Sequence, residues 1–450
     1  MKILILDIYK DVEYRISKDT SGGYGTGNNF GDGFFTKILK KKFKKEHDWP
    51  PLFIAYTYSV LKKQNHIVKY SRYIPENFSD FDFYILSSSI VCCESEIEAI
   101  KKLRKETQKK IFVVGPFATN NPEKYIEAGS VVISGEPEFY FMKNEYLNLI
   151  DNDKIIRFNH DFEIDDLPIP NWDEIIDNFE GVSNLFGKFK NIPILATRGC
   201  PYSCFKYCVY PLQQGRKVRQ RSPQFIVDEM ETWVNKGIKM FTFRDPVFSI
   251  NRKHTIEFCK QVIEQKLNIT FMVETHLNNL DDEMIPLLRK AGLELVYVGV
   301  ESSSHFVLKD MKRFTVEHDK QFQVIKKCED SGIKVKTMFI IGNPEDTKDT
   351  IIQSIEYAKY LPSLYSQFSV FTPYPGTPAY NEFKDIITET KLENFNQYNL
   401  TFKHKNLTKN NISDLKSLAY FKFYLNFNKV IQILKYFIKS KYEKADQRLG

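Results

Sequence analysis

The sequence predicts an α/β protein: a doubly wound parallel sheet, then a second βα series closing into a complete or partial barrel, then a helical C-terminal region. Three observations carry that prediction. Short β-rich runs alternate with amphipathic stretches in two separate series. An acidic, proline-containing stretch divides the two series. Polar and turn-forming residues follow the strands of the second series one after another, as in barrels whose chemistry sits at the carboxyl ends of the strands.

The first series occupies residues 1–150. Its candidate strands are KILILDI (2–8), HIVKYSR (66–72), DFYILSSS (82–89), KIFVVG (110–115) and SVVISGE (130–136), with amphipathic segments at 51–64 and 95–108 between them. Ligands of such sheets bind beyond the carboxyl ends of the strands. There the chain places Ser87-Ser88-Ser89, Gly115-Pro116 and Gly135-Glu136, small or turn-forming residues that leave room for a ligand. The stretch SGGYGTGNNFGDG (21–33) does not match the GxGxxG nucleotide fingerprint in position and reads as a flexible loop, with a cofactor-contacting role as the lesser alternative.

Residues 151–190 contain DDLPIPNWDEI (165–175) and read as a linker. The second series follows, with strands expected at 192–197, 239–244, 269–275, 294–301, 333–341 and 366–372. Ser222 and Pro223 mark a helix start, as N-cap and first helical residue. Asp245 follows the second strand, Glu274 and His276 end the third, Glu301 ends the fourth, Gly342 the fifth, and Pro373-Tyr374-Pro375-Gly376 the sixth.

Composition narrows the classes. A chain of 450 residues accommodates about three domains. Lys and Arg number 64 against 57 Asp and Glu, a modest excess that suits a solvated surface. No basic stripe carries aromatics in an RNA-binding pattern, so no nucleic acid is expected. The start MKILILDIYKD is too short and too soon charged for a signal peptide, and no apolar run approaches the roughly 20 residues of a membrane span. Seven cysteines, three of them within nine residues, do not form a disulfide framework; a reducing cytoplasm is expected.

Those three, in RGCPYSCFKYC (198–208), are Cys200, Cys204 and Cys208. Four-residue spacing puts them on one face of a helix, as a stripe of small buried side chains, or in a loop gathered around a metal centre. Pro201 and the preceding Arg198-Gly199 disfavour the helix, since proline is tolerated only in a first turn. A structural zinc site would want four protein ligands, and no fourth cysteine lies nearby. Cys92, Cys93, Cys259 and Cys328 read as small apolar side chains in or beside strands and helices.

A cysteine loop after the first strand of a βα barrel resembles the radical S-adenosylmethionine (SAM) superfamily. TRGCPYSC (197–204), GVESSS (299–304), FIIGNPEDT (339–347) and PYPGTPAY (373–380) are similar to segments of its cobalamin-binding members. So are VVGPFATNNPEKYIEAGSVVISGEPE (113–138) and LPIPNW (167–172). The resemblance covers about residues 1–385. It implies a Rossmann-like cobalamin domain (1–150), a linker (151–190), a radical SAM partial (βα)6 barrel (191–385) and a helical region (386–450). It implies a [4Fe–4S] cluster on Cys200, Cys204 and Cys208, with SAM against Tyr207, Asp245, Glu301 and Gly342. Cobalamin would lie against Ser87, Ser88, Gly115, Gly135 and Glu136. Asp245 reads equally as a cap on the helix beginning near Asn251, and His276 equally as a supporting residue. No side chain is assigned a catalytic role.

The implied activity is methylation of an unactivated carbon by a 5′-deoxyadenosyl radical and methylcobalamin. The alternatives are cyclisation, rearrangement or oxidation without methyl transfer, and a non-catalytic zinc or cluster protein. The implied partners are a small-molecule, lipid or peptide substrate and a low-potential donor such as flavodoxin or ferredoxin. Two features depart from the family pattern. The second cysteine gap holds three residues (Phe205, Lys206, Tyr207) where the family usually has two, and the Asp-x-His-x-x-Gly cobalt-ligating motif is missing. Residues 411–444 show helical spacing of Leu, Phe, Tyr and Ile with interleaved lysines. They read as a helical cap on the barrel, with membrane-surface contact as the lesser alternative.

Overall fold

A computed structural model describes residues 1–44, 50–144, 146, 154–157, 162–175, 182–184 and 187–436. Parts of the expected linker (151–153, 158–161, 176–181 and 185–186) and the end of the expected C-terminal region (437–450) lie outside the described residues.

The first sheet contains β1 (Lys2–Leu6), β2 (Ile67–Ser71), β3 (Phe83–Ser87), β4 (Lys110–Val114), β5 (Val131–Ser134) and β6 (Ile155–Arg157) in the order β2-β1-β3-β4-β5-β6. Every ladder is parallel, and the order reverses direction between β1 and β3, the position where doubly wound sheets bind ligands. Strands β1 and β3 are apolar and buried on both faces (ILIL, FYILS), as a sheet covered by helices on both sides requires. Helices α1 (Phe34–Phe43), α2 (Leu52–Lys63) and α3 (Cys93–Glu106) belong to this half.

The second sheet runs in chain order: β7 (Asn191–Ile194), β8 (Met240–Phe243), β9 (Thr270–Thr275), β10 (Leu293–Glu301), β11 (Lys334–Ile341) and β12 (Tyr365–Val370), all parallel. β7 and β12 do not pair, so the barrel is partial. Along β11 and β12, buried and half-buried residues alternate strictly. Val335, Phe339, Ile341 and Phe368 are buried, while Lys336, Met338, Gln367 and Ser369 stay accessible because the barrel interior holds a cavity. One apolar core joins the two halves, running from the β1–β3–β4 face through Tyr56 and Trp172 to Ile192, Met230 and Trp233.

Helix α4 (Pro223–Val234) starts as the sequence predicts: Ser222 accepts a hydrogen bond from the Phe225 amide and Pro223 stands in the first turn. Helix α5 (Lys409–Tyr424) opens with a Thr408–Asn411 capping box. It covers the open edge of β12. The Tyr420 hydroxyl accepts from the Phe368 amide at 3.1 Å and donates to the Phe368 carbonyl at 3.2 Å. Tyr424 does the same to Ser366, at 3.2 and 2.8 Å. Two phenols thus satisfy backbone groups that a seventh strand would otherwise pair. After a break at Leu425-Asn426, residues 427–436 are helical again.

Two expectations change. Strand β6 falls inside the stretch read as linker. The segment 21–33 is packed in place, with no loose loop: Gly22, Gly23 and Gly25 are buried, short strands pair at Ile16–Ser17 and Thr26–Gly27, and a Cβ on Gly25 would meet Val91 Cγ2 at 2.6 Å.

Candidate active site

The cysteine loop leaves β7 through Thr197–Arg198, which pairs with Arg219–Gln220. Gly199 takes a left-handed φ of 88°, open to glycine at little cost. Helical structure is confined to the single 3-10 turn Ser203–Lys206, closed by hydrogen bonds from the Tyr207 and Cys208 amides to the Cys204 carbonyl at 3.3 and 3.2 Å. That excludes the three-cysteine helical stripe. Lys206, one of the three residues in the second gap, is tied down by Glu382 at 3.0 Å. Cys200 and Cys204 are buried and Cys208 half-buried, all as free thiols. Burial pushes the Cys200 and Cys208 thiols up, and the neighbouring thiols add to it. Among the described residues, no three His, Cys, Asp or Glu side chains are grouped as a metal site.

A cavity of about 580 Å³ fills the barrel beside this loop. Tyr207, Cys208, Glu274, Glu301, Arg244 and Lys336 form its polar wall. Glu301 is aimed there by the backbone. Residue 300 bulges out of the β10–β11 ladder, and Glu301 adopts φ 66°, uncommon for a side chain with Cβ and typical of functional sites. Its Oε1 faces Arg313 Nη2 at 3.3 Å, and Arg313 Nη1 reaches Cys204 Sγ at 3.7 Å. Burial raises the Glu301 carboxyl, with Arg313 opposing. Burial likewise pushes Glu274 up to about 7 against the pull of Arg244. Tyr207 packs on Phe371 at 5.9 Å between ring centroids.

Asp245 and Gly342, also expected at SAM, do not line this cavity, and neither does His276. Asp245 is 1% exposed; its Oδ1 accepts from the Ala196 amide at 3.0 Å and from the Thr197 amide. It therefore pins the chain just before the cysteine loop, and the cap of the following helix is Asn251 instead. Gly342 has φ 71°, and a Cβ there would meet Ile412 of α5 at 2.9 Å. His276 stacks on Tyr202 at 5.2 Å, and burial lowers it to about 4.

The strand ends of the first sheet are engaged within the chain. Lys18, wholly buried, lies 2.7 Å from Glu96 and 3.2 Å from Asp7, and donates to the Ser87 carbonyl at 3.2 Å. Ser88 Oγ accepts from the Ala118 amide at 3.1 Å. Gly115 packs under Phe53, whose ring a Cβ would approach to 2.9 Å. The Gly135 amide donates to Thr119 at 3.1 Å. Glu136 pairs with Arg198 and Arg219 of the barrel rim. Between the halves, a space of about 50 Å³ is bordered by Asp19, Gly22, Glu136, Arg198 and Arg244.

The sequence reading missed Arg313, Arg244, which grips Asp19 at 2.6 Å, and Lys18. It noted Glu274 at a strand end without assigning it a role.

The donor chemistry suits an iron–sulfur cluster: three thiols on one loop, one facing a cavity beside buried carboxylates.

Residues 194–358 match the profile of the radical SAM superfamily. An uncharacterized methyltransferase of Pyrococcus horikoshii is 25% identical over 413 residues, 84% of this chain and 88% of that protein. The bacteriochlorophyllide d C-8(2)-methyltransferase of Chlorobaculum tepidum is 24% identical, covering 77% and 79%. The anaerobic magnesium-protoporphyrin IX monomethyl ester cyclase of Rubrivivax gelatinosus is 28% identical over 56% of this chain, which spans only 48% of the cyclase. Among solved structures, the radical SAM methyltransferase TsrM of Kitasatospora setae, with cobalamin and a [4Fe–4S] cluster, superposes with a TM-score of 0.66 at 16% identity over 85% of this chain and 74% of that one. The cobalamin-dependent radical enzyme OxsB, with aqua-cobalamin and SAM, gives 0.68 at 13% identity over 92% and 65%. At such identities the structural likeness establishes the fold. Residues 194–358 are thus a radical SAM domain, and it follows a doubly wound sheet in the same overall fold as those two structures.

Proposed function

We propose that the chain is a cobalamin-dependent radical SAM methyltransferase acting on a carbon of a small, largely apolar substrate, with a low-potential donor such as flavodoxin or ferredoxin as reductant. One observation carries the reading: Cys208, Tyr207, Glu274 and Glu301 converge on one barrel cavity whose remaining wall is mostly apolar. When bound, the cluster with SAM supplies a hydrogen-abstracting 5′-deoxyadenosyl radical, and cobalamin a transferable methyl group.

The chain's own residues do the rest. Cys200, Cys204 and Cys208 would hold three irons of the cluster, drawn together from their separate places on the loop. Arg313 fixes Glu301 at the cavity wall, where its carboxylate can accept hydrogen bonds from a bound hydroxyl pair. Glu274, near neutrality in its titration, holds or releases a proton on the same wall. Phe30, Phe43 and Tyr420 exclude water from the far side.

The likeness to a magnesium-protoporphyrin monomethyl ester cyclase favours a second reading, radical chemistry without methyl transfer, ending in ring closure, rearrangement or oxidation with cobalamin as an electron or radical partner. Anaerobic reconstitution with iron, sulfide, cobalamin, SAM and reductant separates the two. Methyl transfer yields S-adenosylhomocysteine beside 5′-deoxyadenosine; the second reading yields 5′-deoxyadenosine alone. Absence of both, with iron content unchanged in Cys204→Ala, ends the proposal.

A further inference from the structure

The barrel cavity opens onto a surface made by two segments distant in sequence. Phe35, Leu39, Lys42 and Phe43 of α1 line it from one side, and Leu425, Val430, Ile433 and Leu434 from the other. The same segments carry an unusual load of exposed apolar side chains: Phe34 is 85% exposed and Phe427 76%, with Ile38, Phe421, Leu425 and Leu434 about half exposed. Leu425 and Leu434 are both cavity wall and outer surface. The apolar lining therefore runs without interruption out of the barrel.

Charge says what covers this face. Helix α1 reads FFTKILKKKF and has no acidic residue. Lys37 and Lys41 are exposed on it and Lys44 follows it; Lys435 is exposed on the facing segment. Lys40 turns back to Asp32 at 3.0 Å and Lys44 to Asp11 at 3.7 Å, which leaves Lys37, Lys41 and Lys435 among the exposed ammonium groups of this face. Exposed aromatics and aliphatics among exposed lysines fit the boundary of an anionic lipid layer, where rings enter the headgroup zone and ammonium groups meet phosphates. No helix of the described residues is long and apolar enough to cross a membrane, so contact would be peripheral.

We infer that the α1 and 421–435 face docks on an anionic lipid surface, and that the barrel takes its substrate, an amphiphile or apolar ring system, from that layer. The substrate half of this inference rests on the proposed function; the docking half does not.

Flotation of the reconstituted full chain with vesicles of phosphatidylcholine, with or without phosphatidylglycerol, tests it. Wild type is expected to float with the anionic vesicles, to remain below with the zwitterionic ones, and to be released by high salt. Phe34→Ser with Phe427→Ser, neither of which lines the cavity, should cut the bound fraction about tenfold while circular dichroism stays unchanged. Lys37→Glu with Lys41→Glu should do the same. Wild type that stays below with both vesicles, or double variants that float like wild type, overturns the inference. So does a concentration-dependent dimer that the phenylalanine pair dissolves, since a second copy would then own the face. Formation of 5′-deoxyadenosine from SAM, measured on the same preparations, separates the two claims. Flotation without it sinks the proposed function and spares the surface; 5′-deoxyadenosine without flotation does the reverse.

Discussion

Arg313 and Glu301 meet at the barrel mouth, Nη2 to Oε1 at 3.3 Å, with both side chains almost out of solvent. Burial opposes the Arg313 charge, but Glu301, Tyr207 and Cys204 outweigh it and hold the guanidinium protonated. Removing one partner of such a pair leaves the other as an uncompensated buried charge. Arg313→Met should therefore cost about 3 kcal/mol in urea unfolding. Adding Glu301→Gln should return a good part of that loss, a coupling of about 1–2 kcal/mol. Additive losses would mean that the two side chains do not act as a unit.

The seven cysteines divide by position, and iron content should follow. Cys200→Ala, Cys204→Ala and Cys208→Ala should each lose most bound iron and the charge-transfer absorbance of a cluster after anaerobic reconstitution. Cys259→Ala and Cys328→Ala sit in buried helix faces and should keep both, at a packing cost of about 1 kcal/mol. Equal iron in all five variants would leave the loop without a cluster.

Asp245 makes stability depend on pH. Burial pushes its carboxyl up to about 7, with the Ala196 and Thr197 amides opposing. An acid whose folded pKa stands above its unfolded value keeps its proton in the folded chain while the unfolded chain gives it up. Stability from this group is thus fully present below the unfolded pKa, near 4, and lost as pH rises through about 7. The loss amounts to about 4 kcal/mol. Asp245→Asn preserves an oxygen acceptor for the two amides and removes the titration. Its cluster-free form should therefore show a flatter stability profile between pH 4 and 8 than wild type, measured by denaturant midpoints. Parallel profiles would assign the pH dependence to other groups.

How much of this was legible in the sequence depends on range. The strands from KILILDI to those ending at Glu301 and Ile341 stood out because β-branched runs bounded by turn residues are local signals. Ile155–Arg157 did not, since three residues carry no period. The cysteine loop and the Glu301 strand end were legible from residue type and place alone. Arg313 was not, because its partners Cys204 and Glu301 lie 109 and 12 residues away and nothing in MKRFT marks it. Arg244 meets Asp19 across 225 residues, a contact that only the docking of the two halves creates. Gly342 shows the same limit: a glycine after a strand was expected, but its neighbour, Ile412 of α5, was not. The stretch 21–33 misled for a physical reason, since glycines needed for close approach look the same in sequence as glycines that confer freedom.

The same stretch decides how cobalamin could load. With Lys18 between Asp7 and Glu96, residues 16–27 lie by the β1–β3 crossover point where a doubly wound sheet takes its ligand, so cobalamin bound at that point would have to displace the seated segment. Burial works against the Lys18 charge, yet Glu96 and Asp7 more than offset it, which makes this ion cluster the latch. In the protein without cobalamin, Lys18 is wholly buried and trypsin should not cut after it. Adding hydroxocobalamin should expose that bond, read by mass spectrometry of limited digests. Lys18→Met leaves two carboxylates facing each other without a cation, so it should cost about 3 kcal/mol and open cleavage at Arg15 with no cobalamin present. Stoichiometric cobalamin with the Lys18 bond still protected would show that crevice and segment coexist, and would place the cofactor against other residues than Ser87, Ser88, Gly115, Gly135 and Glu136.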